Sequence, residues 1–136
     1  MTVSACDLPS LCGQFVLIAE PNPLIAMDLA ATLGGWGARP LLYYDLDGPA
    51  QSAAPAMVRT ALIDVPHCHQ PLAGLIGELA RRGVPTVLTT ACGADFISGA
   101  FPGMHVFDKP VDYAALARWF SAAVQPAWPA QKACNG

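Results

Sequence analysis

The sequence feature that most constrains this chain is the run TALIDV at residues 60–65. Its aliphatic and β-branched residues are typical of a strand that is buried on both faces. The run carries one carboxylate, Asp64, near its end, and a turn-rich segment, PHCHQP at residues 66–71, follows it. Open α/β sheets place their sites at the carboxyl ends of the strands. Asp64 is therefore the first candidate for a reactive group.

The rest of the chain alternates strand-like with helix-like segments. Apolar runs predict five strands, at residues 15–19, 40–44, 60–65, 84–89 and 105–107. Such alternation implies parallel strands joined by right-handed crossovers. The pattern predicts an α/β fold, namely a flavodoxin-like, doubly wound, five-stranded parallel sheet of order 2-1-3-4-5 with helices on both faces. Strands one and three are neighbours in that order, which brings Glu20 and Asp64 together at one edge.

Three segments carry helical periodicity. The first begins at the N-cap Asn22, the second spans residues 72–83, and the third follows the cap Asp112. The predicted buried faces are Ile25, Leu29, Leu33 and Trp36; Leu72, Leu75, Ile76 and Leu79; and Tyr113, Leu116, Ala117, Phe120 and Val124. The segments 45–55 and 91–103 are rich in glycine and proline, so they predict short helices at most.

Composition limits the class of protein. Hydrophobic residues make up 54% of the chain and charged residues 12%, which favours a packed domain over disorder. The net charge of −3 argues against a nucleic-acid surface. No apolar run approaches the ~20 residues of a membrane span, and no signal peptide is recognisable, so we expect a cytoplasmic protein. The weakly charged exterior also leaves room for a homodimer.

One domain accounts for the length. We expect it to span residues 14–124, with a lead-in at residues 1–13 and a tail at residues 125–136. The five cysteines are an odd number and include no CxxC spacing. We interpret them as free thiols of a reducing compartment.

Four motifs in order suggest a family. The segment VLIAEPNPLIAMDLA (residues 16–30) is followed by Asp64 after strand three, Thr90 after strand four and Lys109-Pro110 after strand five. Each motif alone is weak. Together, on a five-unit α/β pattern, they resemble the receiver domain of two-component response regulators, whose members include chains that read VLIVEDEPLIAMDLA near the start.

The resemblance implies phosphoryl transfer. Asp64 matches the aspartate that accepts a phosphoryl group from a phosphohistidine, and Thr90 and Lys109 match the hydroxyl and the cation that contact it. Glu20, Asp64 and the backbone carbonyl of Pro66 match the ligands of Mg²⁺. The implied partner is a histidine kinase or a histidine phosphotransfer protein, and we expect a stand-alone receiver without an output domain.

Two positions depart from the family pattern. Receivers usually carry two acids after strand one, and here the second is Pro21, which offers a metal no side-chain oxygen. Losing a charged ligand is expected to weaken Mg²⁺ binding about tenfold or more, unless Glu20 or the Asn22 amide compensates. Val106 stands where many receivers place an aromatic switch residue, and Phe107 should face the other way. We expect a metal-weak phosphoacceptor; the alternative is a receiver-like interaction module that works without phosphate.

Other chemistries remain open at the same edge. His67, Cys68 and His69 follow Asp64 and offer transition-metal ligands, although neighbouring residues in an extended loop cannot all converge. A redox role for Cys68 or Cys92 is a further alternative. A flavin-binding electron carrier shares the sheet order, but the EPNP segment at residues 20–23 is not a phosphate-binding loop.

Overall fold

The computed structural model describes residues 11–45, 54–65 and 72–124. Within these ranges the elements are β1 (Phe15–Ala19), α1 (Pro23–Gly35), β2 (Arg39–Leu42), a 3₁₀ turn (Tyr43–Asp45), β3 (Val58–Asp64), α2 (Ala73–Arg81), β4 (Thr86–Thr90), α3 (Ala94–Ala100), β5 (His105–Asp108) and α4 (Tyr113–Ala123). All strand pairs are parallel, and the order is β2-β1-β3-β4-β5. The predicted fold class is confirmed.

Successive residues of the central strands point to opposite faces of the sheet, and each face has its own core. Leu17 and Ile63 pack in the core that includes the buried residues of α2 and α3. Ile18 and Leu62 pack in the core that includes the buried residues of α1 and α4. Because each fully buried aliphatic side chain stabilises the fold by about 1.5–3 kcal/mol, these two cores fix the strand register.

Helix α1 begins as the sequence predicts. The Asn22 side chain accepts hydrogen bonds from two backbone N–H groups of the first turn. The buried face consists of Ala26, Leu29 and Leu33. The prediction that Ile25 belongs to this buried face was wrong. Ile25 lies in the first turn of the helix, where its side chain is exposed and lines a surface groove. Trp36 caps the C-terminus of the helix, and its ring contacts that of Phe120 edge-on.

Four of the five predicted strands differ from the observed ones by one or two residues at one end or both, and two of these shifts have a clear local cause. Strand β2 ends at Leu42, because Tyr43 and Tyr44 enter the 3₁₀ turn. Strand β4 begins at Thr86 rather than Val84, because the Val84 N–H bonds to the Leu79 carbonyl and completes the end of α2. Most of the glycine- and proline-rich segment between β2 and β3 lies outside the described residues.

Helix α4 is capped by Asp112, whose side chain accepts hydrogen bonds from the N–H groups of Ala114 and Ala115. Leu116, Phe120 and Val124 are buried, as predicted. Tyr113 and Ala117 were also expected on the buried face and are only partly buried. Tyr113 still packs against the core, while its hydroxyl turns outward and donates to the Asp28 carboxylate.

The cysteines do not all conform to one interpretation. Cys92 is a free thiol, as expected. Cys12 is disulfide-bonded, so the interpretation as free thiols is wrong for this residue. Spacing along the chain does not show which cysteines the fold brings together, and the prediction rested on spacing. Over the described ranges, no helix combines the length and apolar character needed to cross a membrane.

Candidate functional site

Three of the predicted site residues meet at the carboxyl edge of the sheet. Glu20 follows β1, Asp64 ends β3 and Lys109 follows β5. The Lys109 Nζ lies 2.7 Å from Glu20 Oε1 and 2.7 Å from Asp64 Oδ1. One ammonium group therefore bridges two carboxylates from neighbouring strands. Because both carboxylate oxygens contact the same nitrogen at 2.7 Å, they lie no farther apart than about twice that distance.

The three charges are largely withdrawn from water. The Glu20 side chain is 1% exposed, that of Asp64 10% and that of Lys109 19%. Burial by itself lowers the pKa of Lys109, but the hydrogen bonds to Asp64 and Glu20 outweigh it and raise the pKa above its ordinary value. Lys109 is therefore a permanent cation at neutral pH, and it offsets the repulsion between the two acids.

Glu20 is held in place from two sides. Its Oε1 contacts Lys109, and its Oε2 accepts a hydrogen bond from the backbone N–H of Asn22 at 3.1 Å. The Asn22 side-chain oxygen is already engaged in capping α1, so it is poorly placed to serve as the substitute metal ligand considered from the sequence. Pro21 is exposed between them and adds no polar side-chain atom. This loop therefore presents one carboxylate where the family pattern has two acids.

Thr90 ends β4 and is fully buried. Its hydroxyl oxygen accepts a hydrogen bond from the backbone N–H of Cys92 at 3.0 Å. Its carbonyl accepts a bond from the backbone N–H of Lys109 at 2.7 Å. Thr90 thus anchors the backbone of Lys109, while its hydroxyl is directed into the turn before α3.

Strand β5 ends at Asp108, directly before Lys109. The Lys109-Pro110 bond is cis. Val106 packs against the core on the α2 and α3 face, and Phe107 packs against the core on the opposite face. The expectation that these two side chains face opposite ways is confirmed, so Phe107 does not replace the missing aromatic residue at position 106.

The two acids at this site supply some of the oxygen ligands that a hard cation such as Mg²⁺ needs. Glu20 and Asp64 supply carboxylate oxygens at one place, and Mg²⁺ commonly takes one or two carboxylates while keeping several waters. Pro66, the expected third ligand, lies outside the described residues, as do His67, Cys68 and His69. Across the parts of the chain that are described, no group of three or more His, Cys, Asp or Glu side chains is arranged to hold a metal.

Sequence reasoning missed three contributors to this edge. Asp108, the last residue of β5, accepts a hydrogen bond from the Ala94 N–H at 2.7 Å and caps α3. The sequence did hint at such a cap from elsewhere, because the N-cap residue of α3 is Gly93, which has no side chain to accept a hydrogen bond from the first turn. Burial raises the pKa of Tyr44, with further contributions from Tyr43, Asp64 and Glu20, so its phenol lies within the field of the site acids.

The third is Thr89, which pairs with Asp64 across β3 and β4. Its side chain is buried, and its hydroxyl has no hydrogen-bond partner among the described residues. No sequence signal distinguishes it from Thr90.

Comparison with solved structures identifies the fold. The response regulator PhyR from Brucella abortus superposes with a TM-score of 0.65 at 18% identity, over 87% of this chain and 50% of that chain. The PhyR receiver domain from Erythrobacter litoralis gives 0.64 at 20%, over 84% of this chain and 92% of that one. A response regulator from Burkholderia multivorans gives 0.61 at 22%, over 85% and 98%.

The fold is therefore that of response-regulator receiver domains, as the sequence motifs predicted. The chain spans half the length of the Brucella abortus protein and nearly all of the other two. No family model matches the sequence, and no curated protein is significantly similar to it.

Proposed function

We propose that this protein is a receiver that accepts a phosphoryl group on Asp64 from a phosphohistidine of a histidine kinase or a histidine phosphotransfer protein. An Asp64 carboxylate oxygen attacks the phosphorus. The new O–P bond forms as the N–P bond breaks, and the imidazole leaves with the electron pair. Little covalent machinery is needed, because positioning and charge neutralisation carry most of the catalysis.

The observation that carries the proposal is the contact of Lys109 with Asp64 at 2.7 Å. A buried carboxylate that faces a fixed cation has a ready partner for the oxygens of an incoming phosphoryl group. The same ammonium holds Glu20, so the second acid stays in place while the charge on Asp64 changes. Thr90 anchors the Lys109 backbone, and in this proposal its hydroxyl turns from the Cys92 N–H to the phosphoryl group.

Magnesium binding at this site is expected to be weak. Glu20 and Asp64 would hold the ion, with the Pro66 carbonyl as a third ligand. The ion would neutralise charge on the phosphoryl oxygens. Since Pro21 removes one acid and Asn22 is occupied in capping, we expect the affinity to fall about tenfold or more below that of a site with the second acid.

The direct test uses a small phosphodonor. Incubation with acetyl phosphate and Mg²⁺, followed by intact mass spectrometry, is expected to show one added phosphoryl group per chain. The Asp64→Asn variant should gain none. Asp95→Asn, which removes an exposed acid from the first turn of α3, should behave as the unmodified protein. Absence of any gain at high Mg²⁺ contradicts the proposal.

A second function is favoured by Pro21 and Val106, the two departures from the family pattern. In that alternative the receiver fold serves as a protein-interaction module whose binding does not depend on phosphate. The two functions separate in one experiment. If Pro21→Asp and the parent protein both remain unmodified by acetyl phosphate while each is folded, the interaction module is the better account.

A further inference from the structure

A cavity of about 420 Å³ lies at the amino edge of the sheet, where the strands begin, at the opposite end of β3 from Asp64. Two arginines, Arg59 and Arg82, are the charged residues among the described ones that line it. Its apolar wall includes residues that keep accessible surface, namely Ala56, Val84, Pro85 and Ala123. The volume is within the range of small-molecule sites, and an apolar wall with a few polar groups is their usual make-up.

The charges of the described residues are divided between the two edges of the sheet. Parallel strands begin at one edge and their crossover helices end there, so residues that start strands or end helices meet at the amino edge. Four basic side chains and one acid among the described residues hold such positions: Arg39, Arg59, Arg81, Arg82 and Glu78. Most of the described acids lie at the other edge, as Glu20, Asp64 and Asp112 do. The amino edge is therefore positively charged in a protein whose net charge is −3.

Arg82 is held in the wall of the cavity. Its Nη1 donates to the Ala54 carbonyl and to the Glu78 carboxylate, and its Nη2 donates to the Pro55 carbonyl. A guanidinium group has five N–H donors, so these three bonds leave two of them for a ligand. The side chain is 28% exposed, and a group that is already fixed loses little entropy when it binds.

Arg59 is the charged group of the cavity that no contact within the fold explains. Arg82 complements the C-terminal end of α2, and Glu78 offsets part of its charge. Arg59 is the second residue of β3, is exposed, and makes no hydrogen bond or ion pair with any described residue. Its guanidinium group therefore has all its donors available to a ligand, and an oxyanion is the group that accepts such charge-assisted bonds best.

We propose that this cavity binds a small organic phosphate. The phosphate oxygens accept hydrogen bonds from Arg59 and Arg82, and the ester group packs against Val84 and Pro85. A phosphate monoester carries more negative charge at neutral pH than a carboxylate does, and it offers three acceptor oxygens, so it suits two guanidinium groups. The proposal concerns binding alone, and it does not rest on phosphoryl transfer to Asp64.

The test is a titration of the full chain with phenyl phosphate, followed by NMR of the backbone amide and methyl groups. Saturable shifts are expected at the Arg59 amide and at the methyl groups of Ala56, Val84 and Ala123. Phenol has the same ring without the phosphate. It should bind at least about tenfold more weakly, because it cannot accept charge-assisted hydrogen bonds from the arginines.

A matched pair of arginine variants tests the charge. Arg59→Met removes the guanidinium group from an exposed position, and it should weaken phenyl phosphate about tenfold or more. Arg81→Met makes the same charge change at the amino edge, at a residue that does not line the cavity. It should weaken phenyl phosphate by about threefold or less, because solvent and salt screen the more distant charge.

A second pair tests the location. Ala56→Trp fills the cavity from an exposed position and should abolish the saturable shifts. Met57→Trp adds the same side chain at the next position, which is exposed outside the lining, and should leave the affinity unchanged. The proposal is overturned if phenol binds as tightly as phenyl phosphate, if the shifts cluster around Lys109 instead, or if no saturable shift appears at millimolar phenyl phosphate. Equal losses in Arg59→Met and Arg81→Met also overturn it.

Discussion

The two edges of the sheet each use one basic side chain to join separate elements, and they use it differently. At the carboxyl edge, Lys109 contacts the carboxylates of Glu20 and Asp64, both strongly buried. At the amino edge, Arg82 donates to the carbonyls of Ala54 and Pro55 and pairs with Glu78. The Arg82–Glu78 pair is 28% and 25% exposed, so water screens much of its interaction.

The partners of these two basic side chains indicate which of them uses its charge for the proposed phosphoryl transfer. Arg82 holds neutral carbonyls and one acid of its own helix, an arrangement that fastens a loop to α2. Lys109 instead holds two acids from different strands, and only Glu20 also accepts a hydrogen bond within its own loop, from the Asn22 N–H. A buried cluster of this kind costs free energy to assemble, since each ion loses its hydration. We infer that Lys109 is kept charged for that reaction and Arg82 chiefly for stability.

The largest predicted effect is at the carboxyl edge. Lys109→Met leaves two buried carboxylates close together without their cation. We expect the free energy of unfolding at neutral pH to fall by about 3 kcal/mol, as for other buried pairs that lose one partner. Urea unfolding measures it, with Lys109→Arg as the control that keeps the charge. A loss below about 1 kcal/mol would show that the three charges are not coupled as described.

A smaller loss is expected at the amino edge. Arg82→Met removes hydrogen bonds to Ala54 and Pro55 together with the exposed pair to Glu78. Partial exposure limits the loss to about 1.5 kcal/mol by urea unfolding. Arg81→Met, at the adjacent position, should change stability by about 0.5 kcal/mol or less. If Arg82→Met costs more than Lys109→Met, the contrast between the two edges is wrong.

The smallest effect concerns Tyr113, which joins α4 to α1 beside the carboxyl edge. Burial, followed by the hydrogen bond to Asp28, raises its pKa to about 12. An unfolded tyrosine ionises near pH 10, so the native state holds this proton longer. The stability from this group is complete below pH 10 and is lost between about pH 10 and 12.

The variant Tyr113→Phe isolates that contribution from those of Tyr43 and Tyr44. Because the side chain is partly exposed, we expect a difference of about 0.5–1 kcal/mol in the alkaline loss of stability between the two proteins. Urea midpoints at pH 9 and pH 11 measure it. Parallel pH profiles for the parent and Tyr113→Phe would exclude the Asp28 hydrogen bond as a source of stability.

The sequence predicted the parts of the molecule that local rules control. Apolar runs identified all five strands, and the side chains of Asn22 and Asp112 identified two helix starts, because these signals are contained within a few residues. The strand order followed from the alternation, and with it the meeting of Glu20 with Asp64. The contact of Lys109 with both acids agrees with the motif order.

What the sequence did not predict depends on contacts distant along the chain. Ile25 has the right spacing for the core of α1, but it lines the groove instead. Thr89 and Thr90 are identical in type, and only the fold separates a hydroxyl bonded to Cys92 from one without a partner among the described residues. The disulfide of Cys12 was missed for the same reason.

The central claim is that Asp64 accepts a phosphoryl group in a magnesium-dependent reaction that Pro21 limits. The most direct measurement is the extent of modification by acetyl phosphate across a magnesium titration, for the parent protein and for Pro21→Asp. We predict that the variant reaches half-maximal modification at about tenfold lower Mg²⁺. The Asp64→Asn variant of each protein should gain no phosphoryl group at any Mg²⁺ concentration. Identical magnesium dependence in the two proteins, or no modification in either, would contradict the account.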